Sequence, residues 1–155
     1  MKLTTEQNAS FIDILKFITN GKSWTYLLSG SAGTGKTYLL RYLYEELQGL
    51  MWHPCIVAPT GKAASNIVNG KGEVVAKTVH SLLYYVDTEV DTVTIGHKVV
   101  KKERTVFRKF GEQTIRSLYN VIIIDEASML GWEQMSDLLE LKIPIVLLGD
   151  NKQLK

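Results

Sequence analysis

The sequence has 155 residues, of which 45% are hydrophobic and 22% charged, with a formal net charge of +2 at pH 7. This length suits one domain with a buried core, and the composition is that of soluble globular proteins rather than of disordered chains. A charge this small does not by itself indicate a nucleic-acid-binding protein. The single cysteine, Cys55, excludes an internal disulfide and suits a reducing compartment, and no apolar stretch reaches the roughly 20 residues that a membrane-spanning helix needs. We therefore expect a cytoplasmic protein without a membrane partner.

Helices and short apolar strands alternate along most of the chain. The first helix is predicted over residues 4–20, because Thr4 and Gln7 have capping-box spacing and Gly21 is a stop signal. Further helices are predicted over residues 36–48, 61–69 and 132–141. Buried strands are predicted over residues 24–28, 55–58, 121–124 and 145–148. Because continuous apolar strands that alternate with helices are typical of a parallel sheet covered on both faces, we predict an α/β, doubly wound fold.

The pattern changes between residues 85 and 113, where β-branched residues alternate loosely with charged ones and Gly96 supports a turn. We predict a β-hairpin inserted into the α/β core, spanning residues 86–113. Between residues 98 and 116 there are seven Lys or Arg and two Glu, with Phe107 and Phe110 among them. Basic and aromatic side chains suit single-stranded nucleic acid, and a merely solvated charged surface is an equally supported interpretation.

Residues 30–37 match the phosphate-binding pattern G-x-x-x-x-G-K-[ST] without a mismatch. Its glycines let successive N–H groups point at phosphate oxygens, and a helix beginning near Lys36 adds the positive end of its dipole. In this pattern Lys36 reaches the β- and γ-phosphates, and the Thr37 hydroxyl is a ligand for Mg²⁺. We therefore predict a site for ATP and Mg²⁺ built from Gly30, Ser31, Ala32, Gly33, Thr34, Gly35, Lys36 and Thr37.

The apolar strand at 121–124 ends in Asp125 and Glu126. A carboxylate in this place can hold Mg²⁺ beside the phosphate-binding loop, and Glu126 is suited to orient and deprotonate the attacking water. The pair argues against regulatory GTPases, which use D-x-x-G here, and Leu154 stands where their guanine-reading N-K-x-D element needs Asp. Small-molecule kinases usually lack the second carboxylate. Hydrolysis of the triphosphate is therefore the predicted reaction.

Residues 149–154 follow the last apolar strand, at the sheet edge where the phosphate-binding loop is expected. Gln153 is the third predicted catalytic residue, because from this edge its amide can reach the γ-phosphate. A polar turn with no such role is comparably supported by position alone.

In their order, these motifs resemble superfamily 1 DNA helicases of the Dda/RecD-like branch, with phage Dda-type helicases nearest. The blocks that carry the resemblance cover nearly the whole chain, at residues 6–7, 30–37, 58–64, 78–83, 125–128 and 149–154. The resemblance implies a P-loop NTPase with a RecA-like sheet, ATP-driven movement on DNA from 5′ to 3′, and an adenine-reading role for Gln7.

The same resemblance implies contacts with single-stranded DNA, and the residues in the matching positions are Pro59, Thr60, Lys62, Thr78, His80 and Asn151. For His80 the alternative is a packed structural histidine beside Leu82 and Leu83. For the hairpin at 86–113, the resemblance implies a pin that splits the duplex at junctions with single strands.

Superfamily 1 motors close their ATP site between two RecA-like domains, and the second domain supplies arginines worth about 10³–10⁵ in rate. Residues 1–155 resemble the first, N-terminal domain, and motifs IV to VI have no counterpart. We therefore expect one motor domain of an ATP-dependent helicase, weakly active or inactive without a second RecA-like domain or subunit. The alternative is a stand-alone ATP-dependent single-strand-binding module, or one subunit of a split motor.

Overall fold

The computed structural model describes residues 3–21, 24–30 and 35–150. Its helices are α1 (Thr5–Asn20), α2 (Lys36–Gly49), α3 (Gly61–Ser65), α4 (Val79–Leu83), α5 (Glu112–Leu118) and α6 (Trp132–Glu140), with one 3₁₀ turn at Ala127–Met129. Its strands are β1 (Thr25–Gly30), β2 (Pro54–Ala58), β3 (Ala76–Thr78), β4 (Tyr84–Ile95), β5 (Lys98–Lys109), β6 (Val121–Ile124) and β7 (Ile145–Asp150). Within these ranges, no helix combines the length and the apolar character that crossing a membrane requires.

Five strands form one parallel sheet in the order β1-β7-β6-β2-β3. One register row runs across the whole sheet through Leu27, Leu147, Ile124, Val57 and Lys77. The run of four β-branched residues in β6 is fully buried, as a strand covered on both faces requires. All five strands point the same way, so their carboxyl ends meet at one edge of the sheet.

Helices cover both faces of this sheet. One core cluster contains residues of α1, α2 and α3 packed on alternate strand positions, among them Ile14, Leu43, Ala64 and Ile123. The other contains residues of α4, α5 and α6 packed on the intervening positions, among them Leu82, Ile115, Leu138 and Ile122. The chain crosses the sheet from β1 to β3 and then returns through β6 to β7. Right-handed crossovers therefore place the returning helices on the opposite face, and the doubly wound prediction is confirmed.

The predicted helix at 61–69 is wrong in its second half. Helix α3 ends at Ser65, and the following segment turns back so that Val68 bridges Val74. The Asn69 side chain organises this turn, since its Oδ1 accepts hydrogen bonds from the N–H groups of Lys71 (2.9 Å) and Glu73 (3.0 Å). An asparagine that bonds its own following backbone competes with helix formation.

The hairpin is confirmed as a separate two-stranded antiparallel sheet of β4 and β5, twelve residues each. Its register runs from the pair Tyr84 and Lys109 at the base to Ile95 and Lys98 beside the turn. Gly96 adopts a left-handed backbone there (φ 64°), as a tight hairpin turn demands. The end of the predicted 86–113 segment overlaps α5, which begins at Glu112.

Two of the hairpin's six cations, Arg104 and Arg108, pair with acids of β4. Arg108 Nε lies 2.6 Å from Asp87 Oδ2, its Nη2 lies 2.8 Å from Glu89 Oε1, and Arg104 pairs with Glu89 from the other side. Residues 84–109 hold six Lys or Arg and four Asp or Glu, an excess of only two. The count over residues 98–116 suggested a basic hairpin because it left out the acids of β4. Arg104 and Arg108 of β5 pair with these acids.

Candidate nucleotide and nucleic-acid site

The carboxyl edge of the sheet brings the predicted site residues together. Gly30 ends β1 opposite Asp150 of β7, and Asp125 follows β6 with its N–H donating to the Val57 carbonyl (3.0 Å). Strand β7 lies between β1 and β6. Two strand spacings of about 4.8 Å therefore separate the ends of β1 and β6 by roughly 10 Å, a distance that a polyphosphate with its metal would span.

The phosphate-binding loop runs into α2 through Gly35, which is the N-cap of that helix in a left-handed conformation (φ 78°). Lys36 is its first helical residue and half-buried, and Thr37 is the second and exposed. In the described part of the chain no side chain caps this helix, so its first N–H groups remain oriented to bind an anion. Residues 31–34 lie outside the described residues.

Gln7 connects α1 to the phosphate-binding loop. Its backbone N–H donates to Thr4 Oγ1 (3.1 Å), and its Oε1 accepts from the Thr4 N–H (2.9 Å), so the predicted capping box is present. Its Nε2 also donates to the Gly35 carbonyl (3.3 Å). A Cβ on residue 35 would lie only 2.6 Å from that nitrogen. Glycine suits position 35 for two reasons: its backbone is left-handed, and a Cβ there would press on the Gln7 amide. The adenine contact of Gln7 stays a prediction.

Asp125 is half-buried beside two other predicted site residues. Burial raises the pKa of its carboxyl, the neighbouring charge of Glu126 raises it further, and the Glu126 N–H and the positive charge of Lys36 oppose this. The structure thus brings Lys36 and Asp125 within electrostatic reach of each other. Because burial disfavours the charged form of this carboxyl, a cation bound next to it would stabilise the carboxylate.

Glu126 adopts a left-handed backbone conformation (φ 54°, ψ 43°) and is the N-cap of the 3₁₀ turn. Such a conformation is uncommon for a residue with a side chain and costs of order 1–3 kcal/mol. In a continuing strand, residues 125 and 126 would point to opposite faces. The left-handed turn ends that alternation directly after the predicted metal ligand, a feature that no sequence signal indicated.

Oxygen ligands for Mg²⁺ are present, and their chemistry fits the metal. The Thr37 hydroxyl and the Asp125 carboxylate are hard oxygen donors, which Mg²⁺ prefers together with phosphate and water. The described residues contain no group of three or more His, Cys, Asp or Glu that would hold a metal alone. The predicted residues Gln153 and Asn151 fall in 151–155, outside the described part.

Within the described part of the chain, the predicted DNA-contacting residues lie along the same edge, just after β2 and at the end of β3. Thr60 caps α3 by accepting from the Ala63 N–H (3.1 Å), and Thr78 caps α4 by accepting from the Ser81 N–H (3.0 Å). Each cap uses an acceptor lone pair, so each hydroxyl hydrogen can still be donated to a phosphate. Pro59 is half-buried, and Lys62 is exposed at the second position of α3.

His80 is exposed, whereas Leu82 and Leu83 are buried, so its side chain is not part of their core, and its contact with DNA stays a prediction. Its ring stacks on Tyr84 (centroids 4.8 Å apart) and meets the edge of Phe107 (4.9 Å). The Phe107 side chain is 59% exposed. These three rings, the aromatic cluster, join the end of β3 to both hairpin strands. Sequence reasoning noted Phe107 only as part of the hairpin and missed Tyr84.

A cleft in the described part of the chain lies away from these residues. It has a volume of about 390 Å³, opens at the opposite edge of the sheet and is lined in part by Tyr44, Trp52, His53 and Tyr119. None of the predicted site residues lines it. This does not weaken the assignment of the carboxyl edge, because a phosphate-binding loop uses backbone N–H groups and needs no deep cavity within one domain.

Comparison with known proteins gives a consistent picture. A family model described as "AAA domain" matches residues 2–155. The ATP-dependent DNA helicase dda of Enterobacteria phage T4 is 30% identical over 156 residues, and the match covers 99% of this chain and 33% of that protein. The RecBCD enzyme subunit RecD of Haemophilus influenzae is 32% identical over 150 residues, covering 86% of this chain and 22% of that one.

A solved structure, Bacteroides Pif1 bound to ssDNA, superposes with a TM-score of 0.61 at 23% identity. The match covers 97% of this chain and 32% of that structure's chain, and it supports the fold. The chain thus spans about one third or less of the length of these relatives.

The first prediction concerns Gly35. We expect Gly35→Ala to lower the free energy of unfolding by about 1–2 kcal/mol, because a left-handed conformation costs an L-residue that much. Urea denaturation followed by circular dichroism measures it. Gly49→Ala is the matched control, since Gly49 also lies in α2, has no neighbour within 4 Å of an added Cβ and should tolerate alanine.

The Gln7 contact adds a second, separable effect. In Gly35→Ala the Gln7 amide must move, so Gln7→Ala should cost less in that background than in the wild type. Strictly additive changes in unfolding free energy would show that the two residues are not in contact.

A second prediction concerns Asp125. Because its folded pKa is raised, the favourable contribution of the protonated carboxyl is complete below the ordinary value of 3.8 and is lost as pH rises through the folded pKa. Asp125→Asn should therefore raise the melting temperature at pH 7 without Mg²⁺, and the gain should vanish in acid. Asp13→Asn, on the exposed face of α1, serves as control. A variant less stable than wild type at pH 7 contradicts the assignment.

Proposed function

The chain belongs to the AAA domain family, as a superfamily 1 motor domain of the Dda/RecD-like branch, and we propose that it is the N-terminal RecA-like domain of an ATP-dependent DNA helicase. One observation carries the proposal. A single sheet edge presents Lys36 and Asp125 at one end and Thr60 and Thr78 at the other. A nucleotide site and a nucleic-acid track on neighbouring strands are what a motor domain needs.

At the nucleotide end, each side chain has a proposed role. Residues Gly30 to Gly35 cradle the phosphates, Lys36 binds the β- and γ-phosphates, and Thr37 and Asp125 hold Mg²⁺, which supplies neutralising charge when bound. Glu126 accepts the proton of the attacking water. Gln7 reads adenine and Gln153 reports on the γ-phosphate.

The proximity of Lys36 and Asp125 supports these proposed roles. A lysine and a metal-binding carboxylate on either side of a polyphosphate neutralise its charge from two directions. The strained backbone of Glu126 supports it as well, because strain of this kind clusters at functional positions.

At the nucleic-acid end, we propose that single-stranded DNA passes over the ends of β2 and β3. The hydroxyls of Thr60 and Thr78 donate to its phosphates, helped by Lys62 and Asn151. The aromatic cluster offers a face on which a base can stack, next to the edge that holds the phosphates. The hairpin then stands where it would meet a duplex junction as a pin, with movement from 5′ to 3′.

A second RecA-like domain or subunit is part of the proposal, because closure over the γ-phosphate needs arginines on the opposite side of the site. The described arginines of the hairpin are engaged with acids of β4. The isolated chain should therefore hydrolyse ATP slowly or not at all. A single-strand-binding module without turnover is the competing outcome of the experiments below.

A third prediction tests nucleotide binding. Lys36→Ala should weaken Mg²⁺–ATP binding about 10- to 100-fold, since a charge-assisted hydrogen bond contributes about 1.5–3 kcal/mol. A fluorescent ATP analogue and anisotropy give the affinities. The control is Lys71→Ala, an exposed lysine in the turn after α3, which should bind as the wild type does. Equal affinities for all three proteins would overturn the phosphate site.

Turnover separates the two candidate functions. ATP hydrolysis by the chain alone, and by the chain joined to a second RecA-like domain, is measured with and without single-stranded DNA. Glu126→Gln should keep ATP affinity and lose DNA-stimulated turnover in the two-domain protein. If joining the second domain brings no turnover, the single-strand-binding module is the better assignment.

A fourth prediction tests the nucleic-acid end. Phe107→Ala should weaken binding of a single-stranded oligonucleotide about 5- to 150-fold, as loss of one base–aromatic stack of about 1–3 kcal/mol implies, without changing the salt dependence. Val99→Ala is the control, because Val99 is an equally exposed apolar residue on the same hairpin strand. Unchanged affinity in Phe107→Ala would remove the aromatic cluster from the binding surface.

A further inference from the structure

The base of the hairpin rests on a single carboxylate of α6. Tyr84, the first residue of β4, donates from its hydroxyl to Asp137 Oδ2 (3.3 Å). Lys109, the last residue of β5, donates from Nζ to Asp137 Oδ1 (3.0 Å). Tyr84 and Lys109 are register partners, so both strands are held at the same level, each by its own carboxylate oxygen. We call these three residues the base clamp.

Asp137 lies on α6, the helix that connects β6 to β7. Helix α6 follows the 3₁₀ turn that begins after Glu126, and it leads into β7, whose end lies opposite Gly30. It is therefore the connection between two strands that end at the proposed nucleotide site. Leu138 of the same helix is fully buried in the core, so α6 is anchored to the sheet while Asp137 reaches outward to the hairpin.

The hairpin has little else to fix its direction. An isolated two-stranded sheet is marginally stable at best, and most side chains of β4 and β5 are exposed. Its ladder of Arg104 and Arg108 with the acids of β4 stiffens the hairpin internally but ties it to nothing outside. Its other described attachments are also at the base. They include the aromatic cluster, the ring contact of Tyr85 with Phe110 (4.9 Å), the ion pair of Lys109 with Glu140 (3.6 Å), and the hydrogen bond from the Phe110 N–H to the Leu83 carbonyl (2.8 Å).

We propose that Asp137 is a positioning residue that sets the direction of the hairpin relative to the sheet and transmits the state of the nucleotide site to it through α6. The transmission rests on the proposed motor function, whereas the positioning does not. The side chain is 23% exposed, partly shielded from water, and its two oxygens each have one donor, a geometry that neither Asn nor Ala reproduces.

The positioning is tested by measuring a distance in the full chain. Spin labels are placed at His97→Cys in the hairpin turn and at Glu45→Cys on α2, and the native Cys55 is buried, which favours labelling at the two introduced cysteines. With Asp137 intact, we expect one narrow distance distribution. Asp137→Ala should broaden and shift it. Glu140→Gln is the matched control, since Glu140 is a more distant partner of Lys109 (3.6 Å) on the same helix.

A charge exchange separates positioning from general damage to the fold. Lys109→Asp alone places two carboxylates together and should broaden the distribution at least as much as Asp137→Ala does. Combining Lys109→Asp with Asp137→Lys restores an ion pair and should narrow it again. The unfolding midpoint should change little throughout, because Asp137 and Lys109 are both outside the buried core. A distribution that Asp137→Ala leaves unchanged overturns the proposal.

The transmission is tested by thermodynamic coupling. If the proposed function holds, single-stranded DNA changes the affinity for Mg²⁺–ATP, and such coupling factors are commonly about 5- to 150-fold. In Asp137→Ala this coupling factor should fall towards unity. The affinity for ATP without DNA should be retained. Coupling that persists in Asp137→Ala rejects transmission through α6. Absence of ATP binding in the wild type would reject the proposed function and leave the distance measurement to decide the positioning.

Discussion

The parallel direction of the five central strands is the constraint on which the rest of the structure depends. Because all strands end at one edge, the loops that follow β1, β2, β3, β6 and β7 emerge side by side, although they are far apart in sequence. The hydrogen bond from the Asp125 N–H to the Val57 carbonyl extends the ladder one residue past β6. This hydrogen bond fixes the position of Asp125 along the sheet relative to the end of β2. Thr60 follows β2, and Thr78 ends the neighbouring strand β3.

Gly35 and Glu126, both at the proposed nucleotide site, have left-handed backbones for different reasons. At position 35 the backbone angle favours glycine, and a Cβ there would force the Gln7 amide to move. At position 126 a glutamate occupies the same region of backbone angles at a cost in free energy. Together with the raised pKa of Asp125, this cost indicates that the edge is arranged for binding charge rather than for maximum stability.

The hairpin is a stiff element attached at one end. Its internal ion pairs engage Arg104 and Arg108, two of the seven cations that suggested a nucleic-acid surface, and the exposed ring of Phe107 lies on the same strand. The carboxylate of the base clamp, Asp137, lies on α6, which connects β6 to β7. The hairpin is thereby linked to the helix between two strands that end at the proposed nucleotide site.

The fold class followed from the sequence alone, because buried strand runs alternating with helices are a local pattern with few alternatives. The glycine spacing of residues 30–37 predicts a phosphate-binding loop in the same local way, and that assignment stays a prediction. The sequence also placed Asp125 correctly after β6. Short elements such as β3, α4 and α5 escaped it, since three to seven residues carry too little periodicity to be recognised. Only the tertiary structure decided which partners distant residues find: Gln7 with Gly35, Arg108 with Asp87, and Asp137 with both ends of the hairpin. Those contacts join positions up to 53 residues apart, and nothing in the local sequence specifies a partner that the folding of the sheet brings into reach.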